Sequence, residues 1–279
     1  MKWINPNDYS FNAFLLFERF QINMIFKDGD WHKQAPQDKK EKWARHMGIA
    51  LSANPSVLWY LQRRAPECAD IIKSLAANAP KIADASEVRE AENNLLMGVQ
   101  DFVIYTTPEV MADSLEWIVG WDKNQLFDLV DLTGKTVLDI GAGTGRLTFA
   151  AAEKAAWVYA SEPVGTMREF MRDKIKRERI KNVRVLDGLV TEIPFPDNIF
   201  DVVMSGHVVG DDYEAEVAEL TRVCKNGGWL VDCRGDSIDE GKDLNDEPAP
   251  QFDENGWENV RCIDRFGKVK YNQRKLVVK

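Results

Sequence analysis

Histidine and cysteine are scarce in this 279-residue sequence, and neither is arranged to hold a metal. Cys68, Cys224, Cys233 and Cys262 form no CxxC pair, and His32, His46 and His207 are scattered. That spacing excludes a zinc site and a disulfide framework, and reduced, mostly buried thiols are the expectation. Positive charge is also short: 36 Lys plus Arg face 45 Asp plus Glu, for a net charge of −9. A groove that tracks phosphates needs a cationic surplus, so nucleic acid is not an expected partner. No apolar run approaches the roughly 18 residues of a membrane span, and Met1–Trp31 has no basic, apolar, small-residue leader pattern. The chain therefore reads as soluble and cytoplasmic. What is present is 44% apolar residues, material for two cores in a chain whose length suggests roughly two domains.

Up to about residue 130 the periodicity is helical. Ser10 is placed to cap a helix through about Phe26, with Phe11, Phe14, Leu15, Phe17, Ile22 and Ile25 on its apolar face. Asp38 precedes a second helix, and Asn54-Pro55 starts a third in cap-then-proline order. Pro66 restarts the pattern, and Ser86 to about Thr106 carries apolar residues at three-four spacing. Thr107-Pro108 opens one more helix, ending near Gly120. From Leu132 the pattern changes to short β-branched runs alternating with helical stretches, as in a parallel α/β sheet. Five strands are expected, near residues 136–140, 157–161, 183–186, 200–205 and 229–233, then an antiparallel hairpin from 260–264 and 275–278. The expected architecture is thus an all-helical domain over 1–130 and, over 131–279, a Rossmann-like, doubly wound, mostly parallel α/β sheet with an antiparallel C-terminal hairpin. Residues 232–258 hold ten acids against Arg234 and Lys242 and read as a long loop, either a lid or a solvated insert.

The densest chemistry lies in Asp139-Ile140-Gly141-Ala142-Gly143-Thr144-Gly145-Arg146. Glycines after a strand let a ligand approach the backbone closely. The third glycine of a dinucleotide fingerprint would stand at Arg146 and is missing. Asp139, just before the loop, repels a pyrophosphate but attracts an ammonium. Glu162 ends the next strand, where an acid accepts from both ribose hydroxyls. A ligand with a ribose, a cationic amine and no phosphate fits this loop better than a dinucleotide, which disfavours a nicotinamide-dependent oxidoreductase.

This loop is followed in order by Ser161-Glu162-Pro163 through Met167, Ile193-Pro194-Phe195-Pro196-Asp197, Phe200-Asp201-Val202-Val203 and Glu219 through Gly228. At these residues, about Asp131 to Asp232, the sequence resembles the class I S-adenosylmethionine (SAM)-dependent methyltransferases. The likeness is closest to the small-molecule group that includes the quinone-biosynthesis C-methyltransferases. It implies SAM as cofactor and methyl transfer to a small-molecule acceptor. It further implies that Gly141, Ala142, Gly143 and Gly145 cradle the methionine moiety, and that Asp139 anchors its ammonium through a water or a loop amide. Glu162 would hold the ribose, while Met167, Leu189 and Val190 sandwich adenine and Pro163 and Ser205 complete the cofactor-binding set. Gly188-Leu189-Val190 departs from the family's Gly-Asp-Ala, with Asp187 one register off, so backbone groups take over adenine recognition. Gly210-Asp211 stands where the family commonly has a His-His pair.

His207, at the carboxyl end of the fourth strand, is the candidate base, set against a histidine packed under the helical domain. Tyr105, with Thr106, is expected to reach the SAM or acceptor pocket, set against plain interdomain packing. Asp211, Asp212 and Tyr213 read as a capped helix start. The basic run Arg168, Arg172, Lys174, Lys176, Arg177, Arg179 and Lys181 is interleaved with Glu169, Asp173 and Glu178 and reads as an ordinary solvated helix face. Trp3, Phe11, Phe14, Phe17, Phe20, Trp31, Trp59 and Tyr60 read as bundle core or a homodimer face, against an apolar acceptor pocket. A SAM- or nucleotide-binding sensor without turnover is the alternative function.

Overall fold

The computed structural model describes residues 10–29, 35–80, 84–115, 118–210, 212–235 and 250–279. Trp3, Trp31, His32, Asp211 and residues 236–249 of the acidic stretch lie outside them. Contacts divide the chain into Met1–Thr107 and Pro108–Lys279.

In the first unit the single helix expected from Ser10 to Phe26 is broken. Ser10 caps only a short 3-10 turn, Phe11–Leu16, accepting from the Asn12 N–H at 3.3 Å. Phe17 is extended, and Glu18 with Gln21 forms a capping box that starts α1 (Arg19–Asn23), followed by a π turn at Met24–Asp28. A strict three-residue spacing drifts around a straight α-helix, whereas the break lets Phe11, Phe14 and Phe17 all reach zero exposure. Around them pack α2 (Gln37–Ala53), α3 (Pro55–Arg64), α4 (Ala69–Ala77), α5 (Ala85–Gly98) and α6 (Gln100–Ile104). Asp84 caps α5 by accepting from the Glu87 N–H at 2.9 Å. The expected run to Thr106 is interrupted at Val99, after the poor helix former Gly98.

The second unit opens with α7 (Pro108–Ser114) and α8 (Asn124–Phe127) and then winds the sheet. Its strands are β1 (Thr136–Ile140), β2 (Trp157–Ser161), β3 (Val183–Leu186), β4 (Phe200–Ser205), β5 (Cys224–Asp232), β6 (Glu258–Ile263) and β7 (Val269–Leu276), in the order β3-β2-β1-β4-β5-β7-β6. The first five pair in parallel and β7 pairs antiparallel to both neighbours. The intervening helices are α9 (Arg146–Ala152), α10 (Gly165–Glu178) and α11 (Tyr213–Val223), with α12 (Pro250–Asp253) ahead of the hairpin. The contacts change at Thr107/Pro108 rather than at 130/131 because Leu126, Leu129, Val130 and Leu132 share one buried cluster with Val137, Leu147 and Val158. β5 begins earlier than expected, since Cys224 already pairs with Phe200 before a register shift carries Val202 to Trp229. β7 also starts earlier, with Lys270 opposite Cys262.

The Pro-Phe segment before β4 is held by Arg222. Its Nη1 donates to the Phe195 carbonyl at 2.8 Å and to Asp197 at 2.9 Å, and its Nη2 to the Ile193 carbonyl at 3.0 Å and Glu219 at 2.7 Å. Arg222→Ala is expected to lower the unfolding free energy by about 1–2 kcal/mol in urea titrations, most of it from the two orphaned carbonyls rather than the part-exposed ion pairs. Arg222→Lys recovers less than half, because an ammonium cannot fork to four oxygens.

Candidate functional site

Parallel strands of this order leave a crevice at their carboxyl ends, and the glycine loop lies there, after β1. Gly141 and Gly143 take φ of 65° and 55°, the left-handed region. At Gly141 packing also demands glycine: an added Cβ would meet Val208 Cγ2 at 2.4 Å, so the segment after β4 lies directly against the loop. At Gly143 the demand is conformational, the nearest atom to an added Cβ being Met111 Cε of α7 at 3.5 Å. The Ala142 N–H donates to the Ser161 carbonyl at 3.1 Å, tying the loop to the end of β2. Gly145, with φ 88°, precedes α9 as its cap.

Glu162 follows β2 directly and is 6% exposed. Its Oε2 accepts from the Gly143 N–H and its Oε1 from the Val164 N–H, each at 2.9 Å. Burial pushes its pKa up to about 7, against the pull of those two N–H groups and of Arg168, while Asp139 adds a further upward push. An ionised carboxylate offers about four acceptor positions. Two are taken by the Gly143 and Val164 N–H groups, and two remain for a pair of neighbouring hydroxyls, so the acceptor set fits a ribose.

Asp139 is fully buried on the sheet face covered by α9, where its Oδ2 accepts from the Thr148 hydroxyl at 2.5 Å. Burial raises its pKa to about 7 as well, opposed by Thr148 and Arg146. Met167, in the first turn of α10, is 1% exposed, and Val190 packs on the cluster of Leu138, Ile140 and Phe200. Pro163 is half-buried. Leu189 is 39% exposed and bridges to Glu192, so of the three expected adenine walls it alone offers a large side-chain surface. Gly188 is required by close packing, since a Cβ there would lie 2.5 Å from Ser161 Oγ.

At the β4 and β5 ends Ser205 is buried, and its hydroxyl donates to Asp232 Oδ1 at 2.9 Å. Asp232 Oδ2 accepts from Arg234 Nε at 2.8 Å. His207 has φ 64° and lies 2.8 Å, through Nε2, from the Arg234 carbonyl. A carbonyl only accepts, so Nε2 carries the proton. Desolvation of the ring lowers the His207 pKa, helped by Arg146 and Arg234 and opposed by Asp232, although the residue as a whole remains exposed. Arg146 reaches from α9 to the Cys233 carbonyl at 2.6 Å and stacks over Trp121 at 4.5 Å. Tyr105 belongs to the helical unit, where its ring stands edge-on to Phe102 at 6.4 Å.

Sequence reasoning missed Asp232, although its register opposite Ser205 follows from aligning the two strand ends. It also missed Val208 and Met111, which nothing but the folded packing reveals. Asp212 does precede α11, but Glu216 performs the capping, accepting from the Gly210 and Asp212 N–H groups. None of the four cysteines is in a disulfide, and three of them are buried. Among the described residues no group of three or more metal-ligating side chains occurs, and no helix is long and apolar enough to cross a membrane.

Residues 138–232 match the family described as "Methyltransferase domain". Over 116 residues the chain is 36% identical to a demethylmenaquinone methyltransferase of Geobacillus sp. (strain WCH70), covering 40% of this chain and 50% of that one. A demethylmenaquinone methyltransferase of Lactococcus lactis subsp. lactis (strain IL1403) is 34% identical over 116 residues, covering 40% of this chain and 46% of its own. The chain therefore spans about half the length of the curated relatives it matches. The crystal structure of a putative SAM-dependent methyltransferase from Methanococcus maripaludis superimposes with a TM-score of 0.50 at 18% identity, over 66% of this chain and 93% of that one, and shows the same fold. Residues 138–232 are thus similar to a methyltransferase domain, and the chain shares its fold with a protein described as a putative SAM-dependent methyltransferase.

Proposed function

We propose that this chain transfers the methyl group of SAM to a small-molecule acceptor. The observation that carries the reading is Glu162, a buried carboxylate gripped by the Gly143 and Val164 N–H groups with acceptor capacity left for two hydroxyls. When bound, SAM supplies an electrophilic methyl group on a sulfonium, which leaves as a thioether when a nucleophile attacks in line. The chain's contribution is alignment, which is worth roughly 7–11 kcal/mol in well-oriented reactions. In this reading the left-handed loop receives the methionine moiety, Asp139 stiffens β1 against α9 beneath it, and Glu162 pins the ribose. The names of the relatives favour an aromatic carbon of a demethylated naphthoquinol as acceptor.

Such a carbon loses a proton after methylation, and His207 is assigned to take it. Because Nε2–H is committed to the Arg234 carbonyl, the proton passes to Nδ1. The left-handed backbone at a non-glycine residue beside the loop is a conformation that persists where surroundings enforce it, often at functional sites. The test is conversion of SAM to S-adenosylhomocysteine by the purified chain with a reduced demethylated menaquinone analogue. His207→Ala is expected to lower kcat about 100-fold while the SAM Kd stays within about twofold. SAM binding without turnover on any acceptor from cell extract would favour the sensor reading instead.

A further inference from the structure

The basic residues of α10 do not all face solvent, as their alternation with acids suggests. Arg168 has a side chain 15% exposed, and its Nη1 donates to the Glu162 carbonyl at 2.7 Å and to Asp187 Oδ1 at 3.2 Å. Glu162 directly follows β2 and Asp187 directly follows β3, so one guanidinium spans the two strand ends on the adenosine side of the crevice. Arg172, one turn on, donates to the Val185 carbonyl at 3.1 Å. The Glu162 N–H donates to the Leu186 carbonyl at 3.1 Å, so the peptide units on both sides of the Glu162 Cα are fixed.

We propose that Arg168 is a positioning residue of the SAM site, setting the backbone of the ribose-binding acid and holding Asp187 beside it where the family's Gly-Asp-Ala acid is displaced. The inference rests on the reading of Glu162 as the ribose acceptor. Both bonds leave the single nitrogen Nη1, which stands one atom further along the side chain than a lysine Nζ, so lysine falls short of the two oxygens. The charge matters as well as the geometry. Glu162 faces Asp139 from β1 and Arg168 from α10, with Asp187 on the far side of Arg168 and Arg146 acting on Asp139; Arg168 is the cation that favours the ionised form of Glu162. A role in folding alone would leave the pH dependence of binding untouched.

Calorimetric titration of the full chain with S-adenosylhomocysteine from pH 5.5 to 8.5 tests this. Arg168→Gln is expected to raise Kd about tenfold at pH 7 and to move the acid-side midpoint of binding to higher pH. Arg168→Lys keeps the charge and loses the reach to the two oxygens, so it is expected to raise Kd about threefold with the midpoint unmoved. Wild-type Kd and midpoint in R168Q overturn the inference, as does equal weakening in both variants without a shift. Should R168Q fail to fold, a wild-type Kd in R168K overturns it. Absence of binding by the wild type overturns the ribose reading and this inference together, whereas wild-type binding with an unchanged R168Q overturns this inference alone.

Discussion

Glu162→Ala is expected to weaken SAM binding about 100-fold, the largest loss of any single substitution in the crevice. A hydrogen bond to a charged acceptor contributes roughly 1.5–3 kcal/mol, and two ribose hydroxyls lose theirs together, whereas about 2.7 kcal/mol already amounts to 100-fold. The truncation has a second cost. The Gly143 and Val164 N–H groups, which now donate to the carboxylate, are left buried without an acceptor, so the loop loses the contact that orders it from the β2 side. Glu162→Gln separates the two effects. An amide keeps one acceptor but must present its NH₂ to one of these two N–H donors, so an intermediate loss of about tenfold is expected. Calorimetry with SAM, paired with far-ultraviolet circular dichroism to show that each variant is folded, checks both. Wild-type affinity in the alanine variant would remove Glu162 from the ribose.

The five parallel strands were legible in the sequence as short β-branched or apolar runs, and the central ones are buried on both faces, as at Val137-Leu138 and Val202-Val203. The loop was legible because Gly141 and Gly143 adopt backbone angles that other residues avoid. Other parts were hidden for identifiable reasons. β7 carries Lys270, Asn272 and Gln273 as buried residues, so its strand pattern is masked by polar side chains that only the surrounding packing accommodates. The break at Phe17 serves three phenylalanines that share one core, and its local marker, the Glu18–Gln21 capping box, was passed over in favour of the longer apolar spacing. The change of unit at Thr107 reflects which core Leu126 to Leu132 join, and helical periodicity is the same on either side of it. Arg168 was misread because an alternating charge run looks alike whether its guanidinium meets water or two strand ends. Asp139 and Glu162 were singled out in the sequence by position alone, and their degree of burial was not foreseen.

That burial makes the site sensitive to pH, and SAM affinity is expected to rise about tenfold between pH 6 and pH 8. Ribose hydroxyls donate to an ionised carboxylate, and with Glu162 titrating near 7 in the ligand-free chain only about a tenth of it is ionised at pH 6 and nine-tenths at pH 8. The apparent Kd scales with the inverse of that fraction. Asp139 titrates in the same range and each carboxylate resists ionisation of the other, so the observed midpoint belongs to the pair. 5′-Methylthioadenosine isolates the ribose end, because it lacks the methionine amine and carboxylate and its adenine does not titrate between pH 6 and 8; a flat affinity for it over that range would refute the assignment. Stability of the ligand-free chain should run the other way. Below the ordinary carboxylate range both folded and unfolded chains hold these protons, and between there and about 7 only the folded chain does. The stabilisation from the raised values is therefore complete at low pH and is lost as pH rises through 7. Urea titrations at pH 5 and pH 8 should show this decline, and Glu162→Gln, which cannot ionise, should make it shallower. His46, whose pKa burial lowers, contributes with the opposite sign near neutrality, so the difference between wild type and the glutamine variant, rather than either slope alone, reports Glu162. Saturating SAM should then restore at pH 8 what ionisation removed, since the ligand binds the form of the site that the folded chain on its own disfavours.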